Sequence, residues 1–212
     1  MRFSRLWKDF NSGLIQFLNI GREPEPADAI FVFAGRAERK VYGYELFQKG
    51  FADCVIFSVG RFEWREFLRM FPENPAGFYD CVQATYYKER HFFVVLHRND
   101  AQCFRVKKLK LGTLTEVLAI LPLLHELKIK RLMIVTSNFH LRRSVETLKV
   151  FCKSQQLQLI PVAVPVPKSS ENVHDAIYPQ KWIIWELIKY FGYAMVAPIF
   201  KAIMHRNRGI LI

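Results

Sequence analysis

The sequence predicts an α/β protein with a Rossmann-like, doubly wound, mainly parallel sheet, helices on both faces and a hairpin added to the sheet. Three observations carry that prediction. Short apolar runs recur without alternation, as in strands buried on both faces: Ala29–Gly35, Cys54–Gly60 and Leu132–Thr136. Segments of helical spacing separate them, and strand–helix–strand units of this kind close right-handed. The length, 212 residues, fits one domain, with a core at about 28–164, an amphipathic helix over 1–20 and an apolar helix over 180–204.

The elements follow in order. Residues 1–20 place Phe3, Leu6, Trp7, Phe10, Leu14, Phe17 and Leu18 on one side of a helix, and Arg2, Arg5 and Lys8 on another. The apolar stripe is expected to pack on the domain; lying on an anionic membrane is the alternative. Gly21 to Pro26 stops the helix and delivers the chain to Asp28 and the first strand. Arg39 to Lys49 reads as a helix that Gly50 ends, and Cys54 to Gly60 as the second strand. A helix from Arg61 to Phe71, a loop from Pro72 to Gly77 and a helix from Tyr79 to Lys88 come next. His91–His97 and Cys103–Leu109 flank the polar turn Arg98-Asn99-Asp100 and make a hairpin. Thr113-Leu114-Thr115-Glu116 has the pattern of a capping box and opens a helix to about Leu127. After the strand Leu132–Thr136, Ser137 or Asn138 caps a helix to about Lys153, and Leu157 to Val164 is the last strand, followed by a loop from Pro165 to Asp175. Trp182 to Met204 is long enough to span a bilayer, but it contains Glu186, Lys189 and Lys201 and is broken by Pro198. It is expected to pack on the domain, with the tail His205–Arg208 in solvent.

Composition narrows the function classes. With 51% hydrophobic and 24% charged residues the chain is globular, not disordered. A net charge of +12 favours anionic partners: phosphates, nucleic acid or anionic lipid. Lys107, Lys108 and Lys110 form a basic run without any recognised nucleic-acid module, so no specific nucleic-acid partner is expected and the run reads as a solvated face. The four cysteines are far apart, which argues against a disulfide framework or a cysteine zinc site and for a reducing compartment. No His-Glu-x-x-His spacing, Gly-x-Gly-x-x-Gly or Walker loop is present, and no metal is expected. The first twenty residues lack a secretory pattern, so a cytoplasmic protein is expected, membrane-peripheral in the alternative reading of its termini.

The residues that carry chemistry lie where the apolar runs end. Gly35 is followed by Arg36 and Arg39. Ser58 and Gly60 are followed by Arg61, Glu63 and Arg65. Thr136, Ser137 and Asn138 are followed by His140, Arg142 and Arg143, and Thr113 opens the helix that leads back to this edge. In an open parallel sheet such ends share one edge, where ligands bind at the switch point. A cation in a first helical turn is disfavoured by roughly 0.3–1 kcal/mol. Three repeats point to an anionic small molecule held by backbone N–H groups and arginines. For any one arginine the alternative is pairing with Glu38, Glu63, Glu66 or Glu146 on a solvated face. His140 is the acid/base candidate, and Glu116 or Glu63 the carboxylate that orients it or pairs an arginine. Ser137 is not surrounded by a nucleophile-elbow pattern.

These pieces together resemble the DUF218 proteins (the YdcF-like family, which includes the SanA- and ElyC-related envelope proteins) over roughly residues 28–159. The likeness rests on Asp28 and the strand to Gly35, Arg39 with Leu46 and Gly50-Phe51-Ala52, Ser58-Val59-Gly60, Thr113 to Glu116, and above all Thr136 to Arg143. Glu186-Leu187-Ile188-Lys189-Tyr190 looks like the family's C-terminal helix. The sequence departs from the pattern in its reduced glycine pairs, Ala34-Gly35 and Val59-Gly60, and in Asn138, which stands where the family usually has aspartate. Any role that needs that aspartate's charge therefore does not carry over. The resemblance implies a Rossmann-like fold and a nucleotide-like ligand such as S-adenosylmethionine. It implies no settled reaction. Two readings stand: an enzyme for phosphoester or transfer chemistry, and a non-catalytic ligand-binding or envelope-related regulatory protein at the membrane surface.

Overall fold

The computed structural model describes residues 12–152, 156–165 and 180–208. After a helix over residues 12–18 (α1) the chain runs β1 (Ala29–Val32), α2 (Ala37–Gln48), β2 (Cys54–Gly60), α3 (Trp64–Met70), α4 (Phe78–Gln83), β3 (His91–His97) and β4 (Ala101–Arg105). It continues through α5 (Gly112–Glu126), β5 (Arg131–Thr136), α6 (Asn138–Cys152), β6 (Gln158–Ala163) and α7 (Gln180–Arg208). The six strands form one sheet in the order β4-β3-β2-β1-β5-β6. β2, β1, β5 and β6 pair in parallel, while β3 and β4 form an antiparallel hairpin on the β2 edge. The α/β class and the hairpin addition are as the sequence predicts.

The apolar runs do not alternate because both sheet faces are covered. On one face Phe31, Ile56, Val95 and Ile134 pack against α5, α6 and α7. On the other, Ile30, Val32, Phe57 and Met133 pack against a phenylalanine group, where Phe67 meets Phe57 at 5.6 Å, Phe71 at 4.7 Å and Phe78 at 5.1 Å. Edge-to-face and tilted pairs of this kind add to plain area burial. Asp28 fixes the register of the centre: its Oδ2 accepts the N–H groups of Lys130 at 2.7 Å and Arg131 at 2.8 Å, tying the start of β1 to the start of β5.

Several boundaries move for identifiable reasons. β4 is Ala101–Arg105, not Cys103–Leu109, because the tight turn sets Leu96 opposite Ala101. α3 begins at Trp64 because residues 61–63 form a turn. Tyr79–Lys88 is divided between α4 and a short 3-10 turn at Tyr87–Glu89. Pro198 lies inside α7 without ending it, and the helix runs on to Arg208, with Arg206 exposed to solvent as expected. The predicted stripe of residues 1–11 and the loop beyond Pro165 lie outside the described residues.

α2 lies close to β1 at Gly43, where any Cβ would collide with the Val32 side chain. Overpacking costs about 1–3 kcal/mol, against about 1 kcal/mol that alanine gains over glycine in a helix. Gly43→Ala is therefore expected to destabilise the protein by up to about 2 kcal/mol in urea titration; a stabilised variant would show that this contact is looser than described.

Candidate functional site

β1 leads through α2 to β2 on one side, while its other neighbour, β5, leads through α6 to β6 on the other, so the connections from these two adjacent strands run in opposite directions. This is a switch point, the position beyond the strand ends at which ligands bind in open α/β sheets. The N-termini of α2 and α6 meet this edge, α2 beginning at Ala37 just after β1 and α6 at Asn138 just after β5.

Arg39 is the centre of the polar cluster at this edge. Its side chain is 7% exposed, its Nε donates to Ser137 Oγ at 3.0 Å, and its Nη1 donates to the Ala34 carbonyl. It therefore bridges the end of β1 to the start of α6. Gly35 makes room for it: the residue has φ +136°, and a Cβ there would strike the guanidinium. Such a backbone is open to glycine and strained for other residues.

Glu116 reaches the same edge from α5. It does not cap its helix; its Oε1 accepts the Ala34 N–H at 2.7 Å, and Ser58 is a further hydrogen-bonding partner. The expected capping box is absent, because Thr115 instead hydrogen-bonds the carbonyl of Leu111 and Thr113 turns inward. Burial raises the Glu116 pKa, with Glu63 adding to the effect, while the Ala34 N–H, Ser58 and Arg39 act against it. Glu116 thus holds a proton to higher pH than an ordinary glutamate.

His140 is buried, and its Nδ1 lies 2.9 Å from both Thr136 Oγ1 and Ser144 Oγ. Its ring meets Phe33 edge-on at 5.8 Å. Burial first, then Arg143, Arg39 and Lys189, hold its pKa well below the ordinary histidine value. This direction favours the neutral imidazole, the form that accepts a proton, over the imidazolium.

The arginines divide. Arg143 is withdrawn from the crevice: it pairs with Glu186 of α7, donates to Thr113 Oγ1, and lies 4.9 Å over the Tyr193 ring. Both partners of the pair are buried, and an unpaired charge there would be costly, so the guanidinium is committed to structure along with Thr113. Arg36 pairs with Glu38 on the surface. Arg61 lies 4.4 Å over the Phe62 ring, outside the cluster. Arg142 donates to the Phe17 carbonyl and stacks on its ring, holding α1. Asn138 Oδ1 accepts the Phe139 N–H at 2.7 Å, a local bond at the start of α6.

The β2 side adds two residues that sequence reasoning missed. Lys40, 2% exposed, forms an ion pair with Glu63, and Gly60 leaves the space for that carboxylate. His91 of β3 lies with Nε2 at 2.8 Å from Ser58 Oγ, so Ser58 joins Glu116 to His91. Burial pushes the His91 pKa down to about 4. A histidine opening an apolar strand was the available signal for His91; nothing marked Lys40 apart from its neighbours.

Among the described residues no group of His, Cys, Asp and Glu is arranged to hold a metal. Three clefts are lined by residues outside this cluster. One, of about 720 Å³, is lined by Lys88, Arg105, Lys107, Lys108 and Lys110, so the basic run borders a concavity. Comparison with known proteins found no matching family model, curated protein or solved structure.

Glu186→Ala is expected to cost about 3–5 kcal/mol by leaving Arg143 charged and buried, and Arg143→Met with Glu186→Leu to recover most of it. A loss in the single variant no larger than a surface change would sink the assignment of Arg143 to structure. A second expectation concerns acid. The folded His91 pKa of about 4 lies below its ordinary value of 6.5, so the unfolded chain binds more protons between those pH values. Its stabilising contribution is complete above pH 6.5 and is lost as the pH falls to about 4. His140 has the same sign; Glu116, whose pKa is raised, has the opposite one. Denaturation measured across this range should show His91→Gln flattening the acid loss by up to about 3 kcal/mol, and an unchanged slope would reject the buried neutral state.

Proposed function

We propose that the switch-point crevice binds an anionic small molecule: a phosphate ester, a nucleotide or a ligand like S-adenosylmethionine. The observation that carries this reading is Arg39, inserted beneath the side-chain-free Gly35 between the ends of β1 and β5. Two helix N-termini converge on the same place, and N–H groups there favour negative charge. Ser137, Thr136 and His140 Nε2 supply the polar groups that orient a ligand. The likeness of Thr136–Arg143 to the DUF218 (YdcF-like) pattern supports the same reading, and we propose membership of that family on these residues.

Catalysis of phosphoester or transfer chemistry would draw its proton from Glu116, the group whose proton is retained, with His140 as a neutral acceptor. The withdrawal of Arg143 into an ion pair and the neutral, hydroxyl-bound His140 favour the second reading, a non-catalytic ligand-binding or envelope-related regulatory domain.

Thermal unfolding with inorganic phosphate, nucleotides and S-adenosylmethionine tests the proposal. A ligand at a hundredfold excess over its Kd should raise Tm by roughly 5–10 °C. Arg39→Met should abolish the shift, and Arg39→Lys should keep part of it. No shift with any of these ligands, or an equal shift in Arg39→Met, overturns the site. Where turnover accompanies binding, Glu116→Gln should lower it by about 100-fold or more while the thermal shift remains.

A further inference from the structure

α7 has two unlike sides. Its inner side is fastened along the domain: Ile183, Tyr193 and Ala197 are buried, Glu186 pairs with Arg143, and Lys201 Nζ donates to the Val150 carbonyl. Its outer side carries Trp185, Ile188, Phe191, Met195, Ile199 and Ile203, each more than half exposed, with Met195 at 71%. The spacing is that of one helical face. Between Ile183 and Met204 only 22% of the most apolar window is buried. At about 1.5 Å per residue this span is roughly 33 Å long. The charges within it do not interrupt the face, since Glu186 and Lys201 are engaged on the inner side and Lys189 lies within 3.8 Å of Glu186. Water-exposed apolar surface of this extent marks an interaction site.

We propose that the outer face of α7 docks the protein on an anionic bilayer surface, with the helix lying in the membrane plane. Three observations select this occupant. The fastening of the inner side keeps α7 on the domain, since crossing a bilayer would tear out the buried Arg143–Glu186 pair. The net charge of +12 attracts an anionic surface and repels a second copy of the chain. And Phe17 of α1 packs edge-on against Tyr190 of α7 at 5.7 Å, while the sequence that precedes α1 has Arg2, Arg5 and Lys8 among Phe3, Leu6, Trp7 and Phe10. Arg206, at the far end of the helix, is exposed. An apolar stripe flanked by cations is the composition of an interfacial helix.

Flotation of the full chain tests this, with vesicles of phosphatidylcholine alone and with phosphatidylglycerol added. The wild type is expected to float with the anionic vesicles, and less at high salt. Met195→Glu with Ile199→Glu should lower partitioning by roughly a hundredfold with an unchanged melting temperature, because both side chains are exposed. Met195→Gln with Ile199→Gln, a milder change, should lower it by about tenfold. Failure of the wild type to float, or flotation of the glutamate variant equal to wild type, overturns the proposal. So does a wild-type dimer in light scattering that the glutamate variant converts to monomer without any vesicle binding, which would assign the face to a second copy.

Discussion

The position of β1 governs the rest of the molecule. It is a four-residue strand with every residue buried, hydrogen-bonded in parallel to β2 on one side and β5 on the other. Its four side chains are apolar, so the polar groups contributed by this part of the chain come after it. The chain that leaves it turns at Gly35, and Arg39 folds back under that turn. The crevice follows from this geometry, since two connections depart from neighbouring strand ends in opposite directions. Asp28 keeps the arrangement in register from the other end, by holding the N–H groups of Lys130 and Arg131.

Around that centre, burial decides which charges remain available. Arg143 and Arg39 occur in similar positions, a few residues beyond a strand end. Arg143 is brought against α7 and needs Glu186 there. Arg39 faces the strand ends, donates to a hydroxyl and a carbonyl there, and acts electrostatically on Glu116. The same burial favours the neutral forms of His140 and His91 and raises the pKa of Glu116. The outcome is a crevice whose polarity comes mainly from Arg39, N–H groups and hydroxyls.

α7 links this centre to the surface. Glu186 on its inner side completes the Arg143 network, which includes Thr113 at the start of α5, while its outer side is apolar and open. A change at the outer face is one helix diameter from a network that supports α6, whose first residues line the crevice. The buried pair gives the helix a fixed rotation about its axis: turning it would bury apolar surface at the cost of exposing or unpairing Glu186.

The sequence by itself determined the layer architecture. Unbroken apolar runs require cover on both faces, and the polar turns that end them had to lie on one edge; this made the α/β class, the β1, β2 and β5 strands, the hairpin and most members of the crevice legible. Gly35, Arg39, Ser58, Ser137 and Glu116 are grouped in space as their strand-end and helix-start positions suggested. Only the tertiary structure decided the direction of each side chain. Local spacing made Glu116 a cap, and packing aimed it at Ala34; local spacing made Arg143 an anion ligand, and a carboxylate 43 residues later claimed it. His91 and Lys40 entered the network through partners on other elements, at sequence separations of 33 and 23. Burial of a polar group is tolerated only where a partner meets it, and the partner's position is a property of the fold, which no local pattern encodes.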